Sequence, residues 1–367
     1  DAALRLAWVE LRDLRNHVET RLDELPEGLI TVAGPNGEGK TNLLEGIAFL
    51  FFLQSPRTSS TEPVVRRDAD GPAYARGEIL TEEAGKVLVE VEIPGRGANR
   101  VQVNRSTVRR KRDLRRQVRA VYFGPDDLVI VIGDPSKRRE FLDDAIRSLW
   151  PLKESAMTAY ERTLRQRNRL FKEWEGRGAP TGLEAWDAEL VKNGSALIRL
   201  RAEAAARLGP PAGEEYLHLA GYGLACDYAP NVMGEPLEEA FETRLAERRA
   251  DELVRRTSLV GPHRDDLTLA VRDLGARSFA SHGEAWAAAL CLRLGLASAV
   301  ADEVRERPVL LLDDPFSALD PRRQRLVGER LRDRGQVFVS VADDAHVPDG
   351  SSLVLDVSGG SVTPRGV

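Results

Sequence analysis

Apolar and polar positions alternate loosely from Leu4 to Leu25 ("LRLAWVELRDLRNHVETRLDEL"), and a short apolar run, "GLITVAG", closes on Gly34. A period of two predicts strands for both. The spacing changes at "NLLEGIAFLFFL" (Asn42 to Leu53), where apolar residues recur at helical intervals. Residues 55–70 are polar and predict a loop. Ala75 to Asn104 returns to β-branched alternation broken by Gly and Pro, the pattern of antiparallel strands and hairpins. "AVYFGPDDLVIVIGDP" predicts one more strand and then a loop.

Beyond Lys137 the period is helical. "KRREFLDDAIRSL", "LKESAMTAYERTLRQRNRLFKEWEG", "LEAWDAELVKNGSALIRLRAEAAARL" and "PLEEAFETRLAERRADELVRRTSL" are amphipathic segments punctuated by Pro and Gly. "LHLAGYGLACDYAP" between them predicts a strand or two. From about Val260 strands and helices alternate again: helix "AWAAALCLRLGLASAVADEV", buried strand "RPVLLLDDP", helix "PRRQRLVGERLRDRG", strand "QVFVSVAD". The expected organisation is an α/β domain made from both chain ends, residues 1–140 with 256–367, and a mainly helical insertion at 141–255. No internal repeat and no sustained heptad pattern is visible, so no long coiled coil is expected.

Composition changes this picture little. A chain of 367 residues, 42% hydrophobic and 30% charged, is sized for about two globular domains. No apolar run reaches the ~18 residues that cross a bilayer, so no membrane partner is expected. No basic segment leads into an apolar core at the start, so no secretory signal is expected. Cys226 and Cys291 stand far apart with no CxxC, which fits a cytoplasmic setting and core packing. The net charge is −5, but it is unevenly placed: Arg105 to Arg119 ("RSTVRRKRDLRRQVR") carries eight Arg/Lys and one Asp. Lys137, Arg138 and Arg139 form a second cluster. These are either a solvated helix face or a patch that contacts phosphates.

Three motifs carry chemistry. "GPNGEGKT" matches G-x4-G-K-[ST] between a strand and a helix. Backbone amides of such a loop wrap phosphate oxygens, and Gly34, Gly37 and Gly39 permit its turns. Lys40 reaches the β/γ-phosphates and Thr41 offers its hydroxyl to Mg²⁺, with Asn36 and Asn42 in the same loop and helix start. The second motif is "PVLLLDDPFSALD", an apolar strand that ends in two acids about 270 residues downstream. Asp313 would face the Mg²⁺ shell, and Asp314 would orient an attacking water. The long separation argues against small GTPases and kinases. The third is "FASHGEAW", where Ser281, the backbone amides and a helix N-terminus would form an anion site. Its plain alternative is N-capping by Ser281, with Glu284 closing a capping box.

In that order, P-loop, serine–glycine signature, acidic strand and "SALD" resemble the ABC-type ATPase head, the class that includes SMC proteins. The resemblance implies an α/β ABC/SMC-type P-loop ATPase head with an inserted, mainly helical second domain. It also implies that the signature of one subunit contacts the γ-phosphate on the P-loop of another, so that two ATPs are buried between two heads. The family signature LSGGQ falls on Ala280 to Glu284. Ser281 and Gly283 match; Ala280, His282 and Glu284 depart. Ser317 and Asp320 fall in the D-loop. Asp314 stands where most ABC heads carry Glu, which implies slow hydrolysis.

Longer stretches narrow the match. "LRDLRNHVETRLDELPEGLITVAGPNGEGKTNLLEGI", "VGPHRDDL", "LLLDDPFSALD" and "QVFVSVADDAHV" resemble the RecF family of recombination mediators. The likeness is tight at both ends and general from about 150 to 250. It implies an ATP-dependent homodimer on double-stranded DNA or ss/ds junctions, acting with RecO and RecR to load RecA at gaps. The Q-loop Gln is missing near "VYFGPDDLVIVIGDP", so either Asp126 or Asp127 substitutes for it or the role is absent. His346 lies near the position of a γ-phosphate-sensing His; Arg57 is either within reach of a phosphate or a plain surface Arg; His263 belongs to a motif shared with the family that carries no assigned role, with a structural turn as its plain reading. The candidate DNA contacts are Arg105, Arg109, Arg110, Lys111, Arg112, Lys137 and Arg138, and contacts of this kind carry no base specificity. Two rival readings are a nucleotide-binding subunit of a transporter and a structural clamp that binds ATP with negligible hydrolysis.

Overall fold

A computed structural model describes residues 3–176 and 178–365. Its centre is a six-stranded sheet in the order Ser361–Arg365, Leu353–Ser358, Leu29–Ala33, Val337–Val341, Val309–Leu312, Ala120–Phe123. All neighbours are parallel except the edge hairpin of Leu353–Ser358 and Ser361–Arg365. The runs LITVA, VLLL and VFVSV are buried at every position. That is what a parallel strand covered on both faces requires. The carboxyl ends of these three strands open on one side of the sheet, where open α/β folds place their ligands.

A second, antiparallel six-stranded sheet runs His17–Leu22, Arg5–Leu14, Ala73–Thr81, Gly85–Ile93, Arg100–Val103, Ser106–Thr107. Its central strands alternate: every second residue is buried in Ala73–Thr81 and from Val87 to Ile93. The helix Lys40–Phe52 lies between the two sheets, with Leu43 through Phe51 buried all round. A helix apolar on every face needs cover on every face, and two sheets supply it.

The middle of the chain forms helices Pro135–Leu149, Glu154–Glu173, Leu183–Ala220 and Leu237–Arg255. One expectation is corrected here. The segment from Leu183 does not stop before Gly209; it continues as one helix through Pro210 and Pro211 to Ala220. A proline inside a helix forfeits a hydrogen bond and crowds the preceding turn. Tertiary packing outweighs that cost. The segment lies along His282–Val304, and a Cβ on Gly295 would stand 2.6 Å from the Leu208 carbonyl oxygen and 2.7 Å from Ala212 Cβ. A second correction concerns "LVIVI", which is a short helix, Leu128–Ile132, rather than a loop, because Ile130 and Val131 are drawn into the core. His282–Val304 is long and apolar enough to cross a bilayer by composition, and here it is a buried central helix. The longest helix among the described residues is Leu183–Ala220, and no long coiled coil is present among them.

Strand Leu224–Ala229 pairs with Asp266–Val271, which in turn pairs with Leu274–Gly275. Around this small sheet sits a set of buried ion pairs. Arg201 holds Asp143 at 2.8 and 3.0 Å and donates to the Pro262 carbonyl. Arg167 and Glu252, both fully buried, meet at 2.6 Å. His263 sits in the turn Pro262–Arg264, its Nε2 hydrogen-bonded to the Ser258 carbonyl and its Nδ1 accepting from the Tyr160 hydroxyl at 2.6 Å. Burial pushes the His263 pKa down to about 4, so the neutral ring is the folded form.

Candidate nucleotide site

Strand Leu29–Ala33 ends at Gly34, and helix Lys40–Phe52 begins six residues later. Between them the chain turns through positive φ at Gly34 (155°), Gly37 (89°) and Gly39 (119°). Glycine is needed at two of these for space as well as conformation. A Cβ on Gly34 would lie 2.3 Å from the Val357 carbonyl oxygen, and one on Gly39 would lie 2.8 Å from the Asn16 side chain. The loop is also tied from outside. The Asn16 amide donates to the Glu38 carbonyl at 2.9 Å and accepts from Asn42 at 2.8 Å, and Gly360 N–H donates to the same Glu38 carbonyl. His17 is buried beneath the loop, between Thr20 Oγ1 and the Gly39 carbonyl.

Lys40 Nζ donates to the carbonyls of Gly34 (2.5 Å) and Pro35 (2.8 Å), arching over the loop. Burial lowers its pKa, opposed by Asp314, Asp313 and Glu38. The Thr41 hydroxyl donates to Asp313 Oδ1 at 2.9 Å. The Ser340 hydroxyl donates to the same oxygen at 2.8 Å and accepts the Asp314 N–H at 2.8 Å. Ser340 is thus the bridge between the two acids and the neighbouring strand, and sequence reasoning missed it. Its signal was a lone hydroxyl inside the apolar run VFVSV. Burial raises the pKa of Asp313, against the hydrogen bonds from Ser340 and Thr41. Burial and the Asp313 charge together raise Asp314, while Lys40 and His346 pull it down. Asp314 adopts a left-handed backbone (φ 51°), a conformation that Asp tolerates better than most residues and that turns the chain sharply out of the strand.

Arg57 follows the P-loop helix. Its guanidinium reaches Asn42 Oδ1 (3.3 Å) and Glu45 Oε2 (3.4 Å). Glu45 is a second residue that sequence reasoning missed. It is fully buried, gripped by Arg15 at 2.7 and 2.9 Å and by the Ser55 hydroxyl at 2.5 Å. Burial alone would raise its pKa, but the hydrogen bonds from Arg15 and Ser55 outweigh it and hold Glu45 ionised. A carboxylate inside "LLEGIAF" was the signal, since a buried charge needs partners. A cavity of about 360 Å³ opens beside Thr41 and Asp313 and is walled by Arg57, Gln54, Tyr122 and Asp126. Asp126 is exposed at its rim. Asp127 also lines the cavity but is largely buried and paired with Arg293 at 2.6 Å. His346 bonds Asp343 at 2.6 Å and lies close enough for its charge to act on Asp314.

The signature lies elsewhere. Ser281 caps His282–Val304, accepting from Glu284 N–H at 3.3 Å, while the Glu284 carboxylate accepts Ser281 N–H at 2.8 Å. The capping box and the signature are therefore the same residues. A Cβ on Gly283 would stand 3.1 Å from the Ala318 carbonyl, so the signature abuts the D-loop. Asp320 caps the following helix, Pro321–Leu331, through Arg323 N–H at 3.0 Å, and Ser317 N–H reaches the Asp314 carbonyl at 3.4 Å. Among the described residues no hydrogen bond or ion pair joins Ser281 or Gly283 to the loop from Gly34 to Asn42.

The basic segment is not one helix face. It is a hairpin tip followed by a single helical turn, Lys111–Arg115. Arg105, Arg109 and Arg110 are exposed, Arg112 is half-buried, and Lys111 Nζ donates to Gln54 Oε1 at 2.7 Å. Lys137 is exposed and pairs with Glu140. Arg138 is a correction. It is 6% exposed and grips Asp266 at 2.6 and 3.0 Å, so its fork serves the core rather than a surface partner.

The sequence profile of the RecF/RecN/SMC N-terminal domain matches residues 5–357. The DNA replication and repair protein RecF of Cutibacterium acnes is 38% identical over 385 residues, covering 96% of each chain. That of Streptomyces avermitilis is 39% identical, covering 94% of this chain and 95% of its own. The chain belongs to the RecF family. Solved structures agree with that placement. A recombination mediator protein RecF–ATP of the RecFOR pathway superposes with a TM-score of 0.88 at 27% identity, covering 99% of this chain and 98% of its own. An SMC head bound to the winged-helix domain of ScpA superposes at 0.59 with 13% identity, which shows a shared fold alone. The P-loop, the acidic strand and the helical middle of this RecF-family chain thus form an ABC/SMC-type ATPase head with no long coiled coil among the described residues.

Proposed function

We propose that this chain is an ATP-dependent, dimerising clamp on double-stranded DNA that acts as a recombination mediator. The carrying observation is the meeting of Thr41, in the first turn of the helix after a glycine loop shaped for phosphates, with Asp313 at the end of strand Val309–Leu312. ATP would lie with its β/γ-phosphates on the loop amides and Lys40. Thr41 and Asp313 would hold Mg²⁺, an all-oxygen pairing that suits this ion and leaves room for phosphate and water ligands. An ion held there by Thr41 and Asp313 would supply charge neutralisation to the phosphoryl group in transfer. Asp314 would orient the attacking water, and its raised pKa suits a base. Its short side chain supports slow turnover, and negligible hydrolysis by a purely structural clamp is the second reading that this residue favours.

The signature's separation from its own P-loop supports a trans arrangement, in which Ser281 and Gly283 meet the nucleotide of a second copy. The division proposed is an ATPase unit of 1–140 and 256–367, with the helical insertion at 141–255. A groove of about 800 Å³ supports DNA as a partner. It is lined by Arg57, Arg109, Lys111 and Lys137 against one carboxylate, Glu140, with the Ser/Thr-rich loop 58–61 as its floor. Such an excess of cations fits a phosphodiester backbone and reads no bases. By family, RecO and RecR would be the protein partners, RecA loading at gaps the outcome, and the cytoplasm the setting. ATP turnover with and without saturating duplex, with Lys40→Ala as control, tests the reading. Slow, duplex-stimulated turnover lost in the variant supports the clamp; no turnover in the native protein leaves the structural clamp standing.

A further inference from the structure

The fifth signature position carries a charge where LSGGQ has a neutral amide. The carboxylate of Glu284 is fully used. Its Oε1 accepts from the Tyr222 hydroxyl at 2.6 Å and from Arg272 at 2.7 Å, and its Oε2 accepts Ser281 N–H at 2.8 Å. The Arg272 guanidinium also stacks over the Tyr222 ring, 4.0 Å from its centroid. Arg323 donates to the same Tyr222 hydroxyl at 3.4 Å. These groups come from separate parts of the fold. Tyr222 follows the end of the long helix Leu183–Ala220, Arg272 sits in the turn after Asp266–Val271, and Arg323 begins the helix after the D-loop. The Tyr222 hydrogen bond, then the Ser281 N–H and the Arg272 charge, hold the Glu284 pKa down to about 2.

The first-turn amides of His282 and Gly283 have no acceptor within their helix. They and the Ser281 hydroxyl are the donors that the signature can present to an anion. A carboxylate released beside them would oppose that anion directly.

We propose that Tyr222 and Arg272 are positioning residues for the signature. They hold Glu284 in a neutralised clamp, so that a second chain's ATP phosphate meets donors instead of a loose negative charge. Through Tyr222 the clamp also ties the signature to the end of the helix Leu183–Ala220. The inference rests on the trans-signature reading and deepens it.

The test measures ATP·Mg²⁺-dependent dimerisation by sedimentation equilibrium for the native chain, Arg272→Ala and Tyr222→Phe. Each variant is then repeated with Glu284→Gln. Fluorescent ATP binding to the monomer and thermal melting check that every variant is folded. The dimer dissociation constant should rise at least about tenfold in Arg272→Ala, the effect of one lost charge-assisted hydrogen bond. Adding Glu284→Gln should bring it back to within about threefold of Glu284→Gln alone. A merely structural role would not be rescued by removing the charge. Unchanged dimerisation in both single variants, or loss without rescue, overturns the clamp while leaving the trans signature intact. A native chain that does not dimerise with ATP overturns both.

Discussion

The Thr41 hydroxyl donates to Asp313 Oδ1 across 2.9 Å, joining residues 272 positions apart. It joins the P-loop helix to the acidic strand. Asp313→Asn keeps the size of the side chain and removes its charge. Monomer ATP binding should weaken modestly, while Mg²⁺-dependent turnover should fall by at least about a hundredfold. Single-turnover phosphate release against Mg²⁺ concentration checks this. Turnover within a few-fold of the native rate would place the metal elsewhere.

Asp314→Asn separates the candidate base from the candidate metal ligand. ATP-bound dimers should form and persist on duplex DNA, with release slowed at least about tenfold. Stopped-flow dissociation after a competitor chase measures it. Fast release would move the base to another residue. The acid limb of native turnover should also lie above the ordinary Asp range near ~4, because burial and Asp313 raise the Asp314 pKa. Activity is then present above that raised value and lost as pH falls through it.

Ser281→Arg places bulk and a second charge on the signature face. Dimerisation with ATP should weaken by at least about tenfold, while the monomer still binds ATP. Normal dimerisation of this variant would contradict a signature acting in trans.

His263 gives a stability prediction. Its pKa falls from the ordinary 6.5 to about 4 on folding, with burial the main cause. The stability it contributes is fully present above pH 6.5 and is lost as pH falls toward 4, because the unfolded chain takes up the proton first. The slope approaches ~1.4 kcal/mol per pH unit. Urea melts between pH 7 and 4 should show this slope, and His263→Gln should flatten it from a lower starting stability. An unchanged slope in the variant would assign the acid sensitivity to other groups.

Local patterns carried much of this fold and site. "GPNGEGKT" and "VLLLDDP" each place their chemistry within one turn of a strand end, so period and glycine spacing suffice to read them. What stayed hidden depends on residues far apart in the chain. Glu45 is explained only by Arg15 and Ser55, and Ser340 only by Asp313 and Asp314. Arg138 looks like its neighbour Lys137 in a string of charges, yet Asp266, 128 positions away, turns it inward. Pro210 and Pro211 read as a helix stop because their cost is local, whereas the contact at Gly295 that overrides it is not. The edge strands Leu353–Ser358 and Ser361–Arg365 also escaped the sequence reading, and the first of them supplies the Val357 carbonyl against which Gly34 packs.

In the proposed reading, ATP on this loop closes two chains around DNA. Sedimentation velocity with ATP·Mg²⁺, with ADP·Mg²⁺ and without nucleotide, each with and without a labelled duplex, tests it most directly. Dimers should form with ATP alone among these states and co-sediment with the duplex. A monomer in every nucleotide state that leaves the duplex unbound would contradict it.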